Sequence, residues 1–444
     1  MRRWLAVAGA ALLLGACSGD SSFPNPTGKG SVGFINAVKG SPDISFLIEQ
    51  RLIATVPFQS GSAGSRWDDF DYVFNFRTLV AGESSARRIA SMPLKIDANQ
   101  AYTFVLTGAV AAPTVTVLER PERSFDTGGT VFESSFGHLA ESLADVDVYF
   151  GAPGTAPMLG EEVGTLSFGE FLDPVDVEAG DYVLTVTTSG DPADVLYESD
   201  TRTYAAGVAL FIAVFDGDEA DTAPVIATQI GTGGGVVQMP DGRVPPTVRF
   251  LHGAIDKGNV DNDNDEMLMN QVLADFAFGE ASADIDTAVG ATDYTYTPAG
   301  STGSTVFEGA QVALEGAHYN FVVFGPDGAR LSSGYRPERR SISTEARISL
   351  FHGASNHTLL DLYLVDADEP IDDVLPLQIL SYAFLSAPVV RPGGSYDLYV
   401  TVRAEKTVVA GPLRIDAALG DVVEIMIYDT VDPNTAELNV VPAP

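Results

Sequence analysis

The sequence predicts an all-β chain of tandem antiparallel β-sandwiches, and three observations carry that prediction. The 44 glycines and 26 prolines are scattered through 444 residues, which marks frequent turns. Long apolar stretches at helical period are missing, whereas short alternating runs are common. Similar strand sequences also return about every hundred residues, the length of a small sandwich domain.

The N-terminus comes first along the chain. Arg2 and Arg3 precede an apolar run from Trp4 to Ala16, too short to cross a bilayer, which takes roughly 20 residues. The run ends in Leu14-Gly15-Ala16-Cys17, which resembles the lipobox of bacterial lipoproteins. That resemblance implies a signal peptide at 1–16, a diacylglyceryl group on the Cys17 sulfur and several acyl chains at the mature N-terminus, enough for stable anchoring. Cys17 is the only cysteine in the chain, so with it lipidated no disulfide supports the body. Ser18 follows it; by the same resemblance, Asp there would favour retention in the inner membrane, so Ser leans toward the outer membrane. The expected location is the cell envelope, lipid-anchored, on a membrane face the sequence does not define.

Composition bounds the partners. The chain carries 60 acidic and 25 basic residues, a formal net charge of −35. Such a surface repels nucleic acid and anionic headgroups and attracts divalent cations. A hydrophobic fraction of 45% supplies real cores and excludes a disordered tail.

After a linker at 17–30, four segments open alike: Gly33-Phe34-Ile35-Asn36-Ala37, Ser135-Phe136-Gly137-His138-Leu139, Arg249-Phe250-Leu251-His252-Gly253 and Ser349-Leu350-Phe351-His352-Gly353. Asn36, His138, His252 and His352 are spaced 102, 114 and 100 residues apart. A second alternating strand follows in each, as in Asp145-Val146-Asp147-Val148-Tyr149-Phe150 and Leu360-Asp361-Leu362-Tyr363-Leu364. Its Val146, Val148 and Phe150 share one face, as a half-buried strand requires. Turn-led aromatic strands complete each copy, with Gly180 and Gly207, Gly290 and Gly316, and Gly394 and Gly420 opening paired units. The expected immunoglobulin-like sandwiches span 31–126, 127–242, 243–341 and 342–444, with short linkers near Asp126–Gly129, Gly231–Pro246 and Glu338–Thr344. Such a series predicts a semi-rigid rod or arc.

The opening Phe-x-His-Gly/Ala strand, the Asp-Leu-Tyr-Leu strand and the Gly-x-Tyr-x-Leu-x-Val strand resemble the family called domain of unknown function 4397. The resemblance implies small β-sandwich repeats of secreted bacterial proteins and lipoproteins, and no established activity. Copies two and four match best; copy one departs, with Asn36 for His and an insertion-like stretch at Ser60–Asp71.

Chemistry-bearing patterns are few. The run Asp261-Asn262-Asp263-Asn264-Asp265-Glu266 offers Asp261, Asp263 and Asp265 as ligands for a hard cation such as Ca²⁺. An EF-hand is rejected, because Glu266 replaces the turn glycine and Val272 the closing glutamate. The alternative is a solvated insertion loop. Asp216-Gly217-Asp218-Glu219 is a shorter run of the same kind. The three repeat histidines lie one per segment and are expected to bond local carbonyls; His357 could join His352, without other support for a metal. Trp67, Phe70 and Tyr72 form the best aromatic cluster for stacking on sugars, against a plain role in a strand and its loop. Nucleophile elbow, zinc-protease helix, phosphate loop and dinucleotide fingerprint are all missing from the sequence. The expectation is a non-enzymatic display, adhesion or scaffolding protein held to the membrane at Cys17, with an envelope protein or polysaccharide as partner. The alternatives are a polysaccharide- or ligand-binding module helped by Ca²⁺ and, further off, a hydrolase whose site shows no motif.

Overall fold

The structure is a computed structural model that describes residues 25–255, 258–263, 271–301 and 304–442. The lipobox, Cys17 and Asp265 lie outside the described residues. Within them the chain is all-β and arranged as eight sheets, two for each of the four sequence repeats.

One sheet of each repeat contains its opening strand. In the first repeat this is Lys29–Asn36, flanked by Ser60–Gly61 and by Gln100–Thr107, which pairs outward with Thr114–Pro121. The facing sheet runs Arg51–Val56, Ile44–Ile48, Asp71–Thr78, Arg87–Lys95. The other repeats follow this order. Between the two sheets of each lies an apolar core. In the first it gathers Phe34, Phe46, Phe74, Phe76 and Phe104; in the fourth, Leu350, Leu362, Leu398, Ile425 and Ile427. Fully burying each such side chain contributes roughly 1.5–3 kcal/mol. The paired glycines seen in sequence divide between the sheets. Gly180 and Gly394 begin strands of the facing sheet, whereas Gly207 and Gly420 sit at positive φ just before strands of the opening-strand sheet.

Antiparallel pairing was expected throughout, and one pair in each repeat departs from it. Lys29–Asn36 runs parallel to Gln100–Thr107, and Val131–Leu139 to Ala209–Asp216. Thr247–Gly253 is parallel to His318–Phe324, and Ala346–His352 to Val422–Asp429. Parallel pairs favour burial on both faces, and that is how these sheets sit. Every residue of Ala209–Asp216 and Thr247–Gly253 is buried.

Their outer faces cover each other. Ile35, Val105 and Phe58 of the first repeat pack on Phe211, Phe215, Ile226 and Ile230 of the second. Leu251, Val322 and Phe324 of the third pack on Phe351, Met426 and Tyr428 of the fourth. The molecule is therefore two face-to-face pairs of sandwiches. The expected rod or arc does not form, because each end-to-end linker would leave these second apolar faces in water.

The linkers differ as well. Much of Gly231–Pro246 is ordered: Val236–Met239 is an edge strand on Val225–Gly231, and Arg243 forks onto Asp241 at 2.9 and 2.6 Å. The insertion at Ser60–Asp71 supplies two edge strands on Lys29–Asn36, and Gly64 donates its N–H to Thr232 O at 2.9 Å, tying the first repeat to the second.

Candidate functional site

The acidic run of the third repeat begins inside a strand, Val260–Asp263, that pairs with Gln271–Phe276 and Gly290–Pro298. Its first half is therefore sheet, not loop. Asp261 and Asp263 are both buried and line a cleft of about 620 Å³ with Gln271, Asp275, Thr297 and Ser301. Asp261 Oδ1 accepts the backbone N–H of Asp275 and Oδ2 that of Gly300, each at 2.8 Å. Both oxygens thus face N–H donors, which suits a structural carboxylate better than a cation ligand.

The same arrangement recurs nine residues after each repeat histidine. Asp147 Oδ2 accepts Gly190 N–H at 2.7 Å, and Asp361 Oδ2 accepts Ala404 N–H at 2.8 Å. Gly190, Gly300 and Ala404 all have positive φ in the hairpin that leaves the central strand of the facing sheet. The aspartate bonds the exposed amide of that turn. Ser45 stands at this place in the first repeat. Among the described residues no group of three or more His, Cys, Asp or Glu side chains is placed to hold a metal.

The repeat histidines point inward at the end of the opening strand. His138 Nε2 lies 3.0 Å from Ala144 O, and its Nδ1 accepts the N–H of Ala140 at 3.4 Å. His252 repeats this with Gly258 O and Ala254 N–H at 3.2 and 3.4 Å. Asn36 reproduces it without an imidazole: Oδ1 accepts Val38 N–H at 3.1 Å and Nδ2 donates to Val56 O at 3.1 Å. His352 is buried beside His357, close to its backbone, and neither ring nitrogen makes a hydrogen bond of good geometry. Burial drives its pKa down to about 4.

Trp67 and Tyr72 also turn inward. The rings meet edge to face at 5.9 Å and pack on the first core, Trp67 Nε1 donates to Ser65 Oγ at 3.0 Å, and Arg51 covers the indole at 5.1 Å. This covers the faces that a sugar would stack on.

Sequence reasoning missed the place where the four repeats meet. Asp216, in the second acidic run, accepts the N–H groups of Glu141 and Ser142 and so holds the turn after the opening strand. Asp429 does the same for Ser355 and Asn356 in the fourth repeat. Asp218 bonds Arg340 Nε at 3.0 Å, and Arg340 also donates to Ser41 O at 2.6 Å and lies over Phe58 at 5.5 Å. Gln59 donates to Asp216 O and to Asp221, and His318 Nε2 meets Asp221 O at 3.1 Å. Glu219 accepts Ser341 N–H, and Ser343 N–H donates to Gly40 O at 2.9 Å. One loop and one arginine thus join the first, second and third repeats to the segment entering the fourth. Burial, with Asp221 nearby, raises the Asp218 pKa to about 6 in spite of Arg340. Arg340 had the sequence signal of a linker residue, and nothing local marked it as a junction.

No family model matches the chain, and no curated protein matches it. Among solved structures, the Bacillus anthracis TIE protein aligns with 91% of this chain and 69% of its own at 9% identity, with a TM-score of 0.14. So slight a likeness carries no argument about fold or function.

Proposed function

We propose that this chain is a non-enzymatic, lipid-anchored protein of the bacterial cell envelope that presents a rigid β-sandwich body from Cys17. The observation that carries this reading is the double burial of the four opening-strand sheets, which locks repeats into pairs through Phe211, Phe215 and Ile230 on one side and Phe351, Met426 and Tyr428 on the other. A body fixed in this way keeps its exposed edges and loops at constant geometry, as a display or scaffolding part requires. Five of its buried carboxylates serve the fold: Asp147, Asp261 and Asp361 bond hairpin amides, and Asp216 and Asp429 bond the turns beside them.

Fractionation of bacteria that express the full chain tests the proposal. The chain partitions with membranes and shifts in mass by its acyl chains, while Cys17→Ala abolishes the lipid mass and releases the body or leaves it unprocessed. A wild-type chain that is soluble and carries no lipid contradicts the anchor. Turnover of any substrate by the purified body contradicts the non-enzymatic part.

A further inference from the structure

The two face-to-face pairs each leave a cleft at the same place, and the two clefts differ in one telling way. In the first pair the cleft lies between Gly33 and Thr103, which are register partners, and Phe211 and Ile230, which are also partners. In the second pair the matching partners are Arg249 with Asn320 and Glu424 with Val441. There longer side chains narrow the space. Asn320 Nδ2 donates to both oxygens of Glu424 at 2.9 and 3.0 Å, and Arg249 Nε donates to Ser282 O at 2.7 Å. The second cleft measures about 440 Å³ and the first about 890 Å³. Glycine at the position of Arg249 keeps the first one open; a Cβ added at Gly33 would meet nothing nearer than Ser62 O at 3.7 Å.

The open cleft has the size and inter-unit position of a ligand site. Three of the 25 basic residues in this very acidic chain converge on it, Arg66, Arg120 and Arg123. Arg66 pairs with Glu122 at 3.0 Å; Arg123 Nη2 donates to both oxygens of Asp176 at 2.9 and 2.8 Å, its Nε lies 3.8 Å from Glu133, and its Nη1 has no partner among the described residues. Arg120 is mostly buried over the Phe211 ring at 4.4 Å. Its Nη1 is closed to solvent in an ion pair with Glu133 Oε1 at 3.2 Å, whereas Nε and Nη2 make no hydrogen bond among the described residues. A guanidinium held in place with N–H groups to spare is a carboxylate receptor. Ser31, Thr103, Thr203, Gln229 and the backbone at Gly231, Gly233 and Gly235 add donors and acceptors suited to hydroxyl groups, beside an apolar wall that includes Phe125, Tyr204 and Val237.

We propose that the cleft between the first and second repeats binds an acidic oligosaccharide, with Arg120 and Arg123 meeting its carboxylates and the hydroxyl and glycine wall meeting its sugar hydroxyls. The ligand adds to the display role and does not depend on the lipid anchor.

Calorimetric titration of the detergent-purified full chain tests it, with trigalacturonate as probe and maltotriose as the neutral control. Saturable binding of the uronate, absent for maltotriose, is expected. Arg123→Gln should weaken it about tenfold. Gly33→Arg, which copies the narrowed second cleft, should abolish it while unfolding at the wild-type temperature. No heat with the uronate at millimolar concentration overturns the proposal, as does equal binding of maltotriose. Undiminished binding by a folded Gly33→Arg chain also overturns it; should that variant not fold, undiminished binding by Arg123→Gln does the same.

Discussion

At the residue scale, two buried titratable groups pull stability in opposite directions over one pH range. His352 is neutral in the fold, and burial lowers its pKa to about 4 from the ordinary imidazole value of 6.5. A depressed histidine contributes stability that is present above 6.5 and lost as pH falls through 4, on the order of 3 kcal/mol once both states are protonated. Asp218 is raised to about 6 from 3.8. Its contribution runs the other way: it is present below 3.8 and is lost as pH rises through 6. Thermal unfolding between pH 7 and 4 separates them. His352→Asn should flatten the acid loss of stability, because Asn36 shows that an amide suits this place. Asp218→Asn should make that loss steeper. Identical pH slopes in all three chains would remove both assignments. The recurrence of the histidine was legible from its spacing, and Asn36 explains why the exception folds alike: like His138 and His252, it offers one acceptor for the amide two residues on and one donor for a carbonyl. Arg340 was not legible, since its partners Asp218 and Ser41 lie far off in sequence.

At the element scale, alternation identified the strands of the facing sheets, such as Leu359–Asp366, where Leu360, Leu362 and Leu364 face the core. It could not reveal the parallel pairing, which depends on which strands become neighbours. A signal was nevertheless present. Ala209-Leu210-Phe211-Ile212-Ala213-Val214-Phe215 is an unbroken apolar run, the mark of a strand covered on both faces. The acidic run misled in the opposite sense: its charge suggested a loop, whereas Val260–Asp263 is strand and Asp261 bonds the turn at Gly300. Asp261→Ala should therefore lower stability by about 1–3 kcal/mol through two unpaired amides. The loss should be the same in millimolar Ca²⁺ and in chelator. A loss confined to Ca²⁺-containing buffer would restore Asp261 as a cation ligand.

At the scale of the whole molecule, the repeat spacing made the tandem sandwiches readable but not their arrangement. Sequence separates repeats along a line; the apolar outer faces of Ile35, Val105, Leu251 and Val322 fold that line back into pairs. The loop at Asp216–Asp221 is held to the first repeat by Gln59 and joins the two pairs through Arg340 and His318. The open cleft follows from this arrangement too, since Arg66, Arg120 and Phe211 approach each other only after the first two repeats close.

Small-angle X-ray scattering from the body lacking residues 1–17 tests that closure most directly. Compact pairing predicts a radius of gyration of about 22–26 Å and a pair-distance distribution with a single maximum. A radius near roughly 40 Å with a long tail, as four sandwiches in a row would give, would contradict the face-to-face pairs and the junction at Arg340.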